Sequence, residues 1–239
     1  MAAEVVIYTP MEIEQMAEDT LRRRGDIPFA APIKMERLLV NTPNVMIEYE
    51  YGLRIDYRVE GYVCKQFMSK TLTVWIDQRI MEGPLPEYNR VLGEEFAHIS
   101  IHPSIFFDIN SVDDFIEMQM HPHWNRFESD ARRFSAAIRM PPYLVKMEAA
   151  LAYEYVVNDV GFESAAIIEN RMTMRLAEVF QVTPVEMKRR LANPPCNLRE
   201  QILNSIQSRS ERLLPLGWTV NAVPPSHQRT FGERSPRPR

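Results

Sequence analysis

Near the start of the chain, Ile13, Met16, Ala17, Thr20 and Leu21 fall at i, i+3, i+4, i+7 and i+8. That spacing predicts a helix over residues 11–24, with Thr9 as its N-cap. Residues 32–39 offer a second, shorter helix. The period then changes. Stretches 45–51, 57–66 and 71–77 are rich in Val, Ile, Tyr and Thr, and the last, TLTVWID, alternates in period two. Gly52 and Met68-Ser69-Lys70 read as turns between them, so the three stretches predict a small sheet with hairpin connections.

After the GPLP break at Gly83–Pro86 the pattern is helical. One helix is predicted over 87–102, stopped by Pro103. Residues 104–124 mix aromatics and acids around a helix-start signal at Ser111-Val112-Asp113-Asp114. Further helices are predicted over 125–140, 143–155 and 164–180. Thr183, Pro184 and Glu186 form a capping box with proline at the first helical position, opening a short helix to Leu191. From Asn193 the composition shifts to Pro, Ser and Arg, apart from a candidate helix over 198–214. The last stretch, ending FGERSPRPR, predicts disorder. The fold class expected is α+β, a three-stranded sheet followed by a mainly helical part.

Charge sharpens this picture. The formal net charge is −4, but residues 199–239 hold seven Arg and three Glu, which leaves −8 on residues 1–198. So acidic a body is a poor nucleic-acid surface, and the arginine tail is modest and thin in aromatics. No apolar run approaches the roughly 18–20 residues of a membrane span. The N-terminus, MAAEVVIYTPMEIE, has no basic stretch leading into an apolar one. Cys64 and Cys196 form neither a disulfide framework nor a zinc knuckle. The expectation is a cytoplasmic protein with no membrane contact and no direct nucleic-acid binding.

The candidate chemistry lies in RVLGEEFAHISIH, residues 90–102. On a helix, Glu94 and His98 lie four apart on one face, where both can reach one metal ion. Glu95 sits at the edge of that face, placed to reach water at the metal without being a ligand. This is the geometry of the HExxH zinc helix with Glu in place of the first His. The same spacing also serves an ordinary solvated Glu–His pair. Leu92, Phe96 and Ile99 form a stripe expected to bury against the sheet, while Gly93 and Ala97 allow close backbone approach. For a third ligand, the later helix offers Glu128 and Asp130. Its apolar stripe of Phe127, Ala131, Phe134 and Ile138 leaves Glu128 at the margin of the buried face, as a ligand or a surface group. His102 reads as a helix-end histidine. His121 and His123 read as loop residues, with donation to a reaction intermediate as the alternative. Arg90 is placed to pair with a carboxylate or to form a surface salt bridge. Met172, Met174 and Met187 read as core filler.

These blocks together resemble the ImmA/IrrE family of metallopeptidases. In that family a helix R-x-x-x-A-H-E-x-x-H-x-x-x-H is followed downstream by E-x-x-A-x-x-F-A-x-x-x-x-M-P. Here stand Gly93-Glu94-Glu95-Phe96-Ala97-His98 and His102, then Glu128, Ala131, Phe134 and Ser135, with Met140-Pro141 in place. The family's closing phrase, L-A-x-x-F-x-V-S-x-x-A-M-x-x-R-L, is matched from Leu176-Ala177 through Phe180, Val182, Thr183 and Met187 to Arg190-Leu191. Arg90 falls one place later than the family's arginine. The resemblance spans residues 10–192 and leaves 193–239 as an extension. It implies a zincin-like fold, a small sheet packed on the metal helix and a metal-dependent peptidase. The protein substrate it implies is a regulator such as a helix-turn-helix transcriptional repressor. By position, Glu94, His98 and Glu128 are implied metal ligands and Glu95 the general base. Glu94 departs from the pattern. An additional carboxylate weakens the metal's Lewis acidity and widens the choice from zinc toward manganese, magnesium or iron. The alternative is a catalytically weakened zincin module that binds a partner protein.

Overall fold

The computed structural model describes residues 6–23, 30–65, 70–106, 108–160 and 165–207. Strands β1 (Val45–Glu50), β2 (Gly61–Lys65) and β3 (Leu72–Asp77) form one mixed sheet in the order β1-β3-β2. β3 runs parallel to β1, with Val45 opposite Leu72, and antiparallel to β2, with Gly61 opposite Ile76. The expected run of hairpins is therefore corrected, because β1 and β2 do not pair.

The reason lies between those two strands. Gly52, at φ 94°, opens a single π turn, Leu53–Tyr57, which Arg58 closes in the left-handed region at φ 59°. This turn consumes the start of the strand predicted over 57–66. The buried carboxylate of Asp77 pins it, accepting from the Arg54 and Arg79 backbone N–H groups at 2.8 Å each. β3 thus becomes the central strand, and its Val74 and Ile76 are fully buried.

The helices are α1 (Pro10–Arg23), α2 (Met35–Val40), α3 (Gln78–Glu82), α4 (Leu85–Ile101), α5 (Pro103–Phe106), α6 (Val112–Met118) and α7 (Trp124–Arg139). Beyond them come α8 (Pro142–Val160), α9 (Ala165–Phe180), α10 (Pro184–Ala192) and α11 (Arg199–Gln207). The chain is mostly helical α+β. α4 begins earlier than predicted because Pro84 caps it and Pro86 sits in its first turn, where no N–H is needed. Pro103 ends α4, as expected, and then opens α5. α8 runs past its predicted end at Tyr155. Ser111 caps α6 by accepting from Asp114 N–H, and the predicted capping box opens α10. Most of the turn expected at 68–70, the end of the helix expected over 198–214 and the expected disordered tail lie outside the described residues.

α4 and α1 both pack against α7. Phe96 faces Phe134 with ring centroids 6.2 Å apart. A Cβ at Gly93 would run into Ser135 Oγ, so only glycine allows this approach of α4 to α7. The stripe expected against the sheet is therefore turned. Phe96 points to α7, and it is Val91 that meets β2 at Gly61. Arg190 of α10 ties that helix to α1. Its Nη1 and Nη2 donate to the Glu14 carboxylate of α1 at 2.5 and 2.8 Å, and its Nε donates to the Met140 carbonyl at 2.9 Å. Met172 and Met187 are core residues, but Met174 is 47% exposed and is not. No described helix is long and apolar enough to cross a membrane.

Candidate metal centre

α4 is amphipathic in an unusual sense. Leu92 and Phe96 go to the core, while Arg90, Glu94 and His98, at i, i+4 and i+8, face a cleft. The cleft is a cavity of about 480 Å³ into which Glu94, Glu95, His98 and Glu128 all open. α7 forms the facing wall, and the chain entering β2 forms a third side through Glu60 and Gly61.

His98 and Glu128 meet across it. His98 Nε2 lies 3.3 Å from Glu128 Oε1, with His98 only 2% exposed. Glu128 also accepts from Arg132 Nη2 at 3.1 Å, one turn along α7. Burial pushes the Glu128 carboxyl up, but the His98 contact and the Arg132 charge outweigh it and hold the group below its ordinary value. Asp130, two residues on, points elsewhere and pairs with Arg126 at 3.1 Å. Glu128 is thus the carboxylate of α7 that faces the cleft.

Glu94 is engaged differently. Its Oε2 accepts from Arg90 Nη1 at 2.8 Å, and Arg90 Nη2 reaches Glu60 at 2.5 Å. Burial raises the Glu94 carboxyl above its usual range, against the pull of Arg90 and with a smaller push from Glu128. Glu95 is the most deprived of the group. It is buried, its Oε2 has no hydrogen-bond partner among the described residues, and burial followed by the Glu128 and Glu94 charges lifts its carboxyl well above the ordinary value. Such an orphaned polar atom calls for an explanation.

Behind His98 stands His102, the C-cap of α4, with the two Nδ1 atoms 3.3 Å apart. One ring must donate and the other accept. Burial, then the neighbouring His98, pushes His102 down to about 3, so it is neutral near pH 7. His102 is therefore at the helix end, as expected, and is buried beside His98. His121 and His123 flank the Phe127 ring at 5.6 and 6.5 Å and take no part in lining the cavity.

Two of the three expected ligands are thus in contact, and the third is held by an arginine in the same cavity. Among the described residues, no three His, Cys, Asp or Glu side chains converge as a ready-made ligand set. The donor chemistry, one imidazole and two carboxylates beside an orphaned acid, fits a divalent cation of the zinc, manganese or iron type. Glu60, Arg54, Arg58, Trp124 and Arg132 also line the cavity without having been singled out. Only Arg132 carried a signal, standing four residues after Glu128. No protein-family model and no curated protein matches the chain.

Proposed function

We propose that this chain is a metal-dependent peptidase of the ImmA/IrrE type, built on a zincin-like fold and acting on a regulatory protein such as a transcriptional repressor. The observation that carries this reading is the meeting of His98 and Glu128 at 3.3 Å in a cleft that also holds the buried, unpartnered Oε2 of Glu95. Glu94, His98 and Glu128 are the residues that would hold a divalent ion, zinc first, with Glu94 exchanging Arg90 for it. A bound ion supplies polarisation of the peptide carbonyl and acidification of water. The Glu95 carboxylate accepts the water's proton and delivers it to the leaving amine. A carboxyl lifted toward neutrality suits both halves of that transfer. Arg90 and Glu60 hold Glu94 in place, and Phe106, with its ring 4.3 Å from that of His98, fixes the imidazole plane.

Metal analysis of the purified chain, followed by hydrolysis of a mixed-sequence peptide pool, tests the reading. About one divalent ion per chain and cleavage that Glu95→Gln abolishes are the expected results. A chain that takes up no divalent ion, or cleavage unchanged in Glu95→Gln, overturns it. One observation favours a second reading, a partner-binding module without hydrolysis. The Arg90–Glu94 ion pair already supplies Glu94 with a cation. Partner capture without peptide cleavage in the metal-loaded protein would identify that case.

A further inference from the structure

The body of the chain is acidic, yet four arginines, Arg54, Arg58, Arg90 and Arg132, line the cleft. Arg54 and Arg58 project from the π turn on one side of the cleft mouth, and Arg132 stands on α7 on the other. Arg54 and Arg132 have side chains 51% and 64% exposed. Arg54 makes only loose pairs, 3.6 Å from Glu60 and 3.4 Å from Glu87, and Arg58 pairs with no acid among the described residues. Arg58 closes the π turn in the left-handed region, which sets its side chain on the exposed side of that turn. Arg58 is thus an exposed guanidinium that lines the cleft and has no acid paired with it among the described residues, available to an anionic group of a ligand.

We propose that Arg54 and Arg58 form a subsite that selects peptides carrying a glutamate or aspartate side chain beside the segment lying in the cleft. The inference rests on the reading that the cleft takes a peptide. The floor and the mouth differ in sign. Among the charged groups of the lining, Glu94, Glu95 and Glu128, with Arg90 between Glu94 and Glu60, are the more buried, and Arg54, Arg58 and Arg132 the more exposed. A polypeptide satisfies both, with uncharged amides across the carboxylate floor and an acidic side chain reaching the rim. A nucleic-acid strand carries a charge on every phosphate and would set several against the floor carboxylates. Arg58 is the specificity-determining group, because Arg54 is partly committed to Glu60 and Glu87. The guanidinium fork recognises carboxylate through paired N–H donors.

Fluorescence anisotropy on the full chain in chelator tests this without any hydrolysis. The probes are a labelled random-sequence peptide pool with glutamate at two fixed positions, the same pool with glutamine there, and a single-stranded oligonucleotide of random sequence. The glutamate pool is expected to bind about tenfold more tightly than the glutamine pool, with the advantage shrinking as salt rises. In Arg54→Gln/Arg58→Asn, in which asparagine tolerates the left-handed backbone, the advantage should fall below about twofold with a melting temperature that holds or rises. Equal binding of the two pools, binding of neither, an advantage that survives in the double variant, or a preference for the oligonucleotide overturns the proposal. Selection of the glutamate pool with no cleavage after metal loading would sink the peptidase reading and leave the subsite standing. Cleavage with equal binding would do the reverse.

Discussion

The Arg190–Glu14 clasp and the α4–α7 cleft both hold charge away from water, and they do so in opposite ways. In the clasp the guanidinium spends Nε, Nη1 and Nη2 on the Met140 carbonyl and on both oxygens of Glu14. In the cleft Glu95 Oε2, and behind it His102 Nε2, are buried without partners among the described residues, and Glu94, Glu95 and Glu128 repel one another. A saturated buried pair costs much to break and asks for nothing further. An unsaturated cluster is held in a costly state by the fold around it, and such clusters gather at working sites. The contrast separates the residues that hold the molecule together from those that await something.

The sharpest break in this comparison is Glu95→Gln. Peptide hydrolysis should fall about 10²–10⁴-fold, measured as kcat/KM, while the metal stays bound and the melting temperature holds or rises. If the variant loses metal as completely as His98→Ala, Glu95 belongs among the ligands. Next comes Arg190→Met, which strands the Glu14 carboxylate. Denaturant titration should show a loss of about 3–5 kcal/mol with metal content per folded chain unchanged. Parallel loss of both would make clasp and cleft a single unit.

A smaller effect separates them by pH. His102 titrates near 3 in the fold, and its ordinary value is 6.5. Between those values the unfolded chain binds the extra proton, so the metal-free protein loses stability as pH falls from about 6.5 toward 3. At pH 5 this costs about 2 kcal/mol, and thermal melts of His102→Phe against the parent at pH 7 and pH 5 should show the variant gaining by that amount. Smallest is Glu94→His. It removes one negative charge and restores imidazole, so competition dialysis should show a shift toward zinc and hydrolysis should rise by up to about tenfold. A variant with neither gain would favour the partner-binding reading.

What could be read from the chain before folding was whatever depends on near neighbours. The helical periods of α1, α4 and α7 and the capping box of α10 are local, and so is the Glu94–His98 spacing. Sheet composition was legible, but pairing was not. Where β1 sends the chain depends on the π turn at Leu53–Tyr57, which Asp77 pins from 23 residues away. The direction of Phe96 was misjudged because Gly93 lets α7 approach on a side that periodicity alone cannot choose. Glu128 could be placed at a helix margin. Glu60 could not be placed at all, since it reaches Arg90 from 30 residues upstream only once β2 lies against α4.

The clasp also sets a schedule. Glu14 and Arg190 are 176 residues apart, and at roughly 5–20 residues per second some 10 to 35 s of synthesis separate them. During that interval α1 can lie on α7, but its latch has yet to be made. Both walls of the cleft, and all four of its site residues, are complete before the latch arrives. A chain interrupted ahead of Arg190 therefore carries the whole constellation before the clasp between α1 and α10 can form. Synthesis through Arg190, with 49 residues still to follow, is what lets the latch be made.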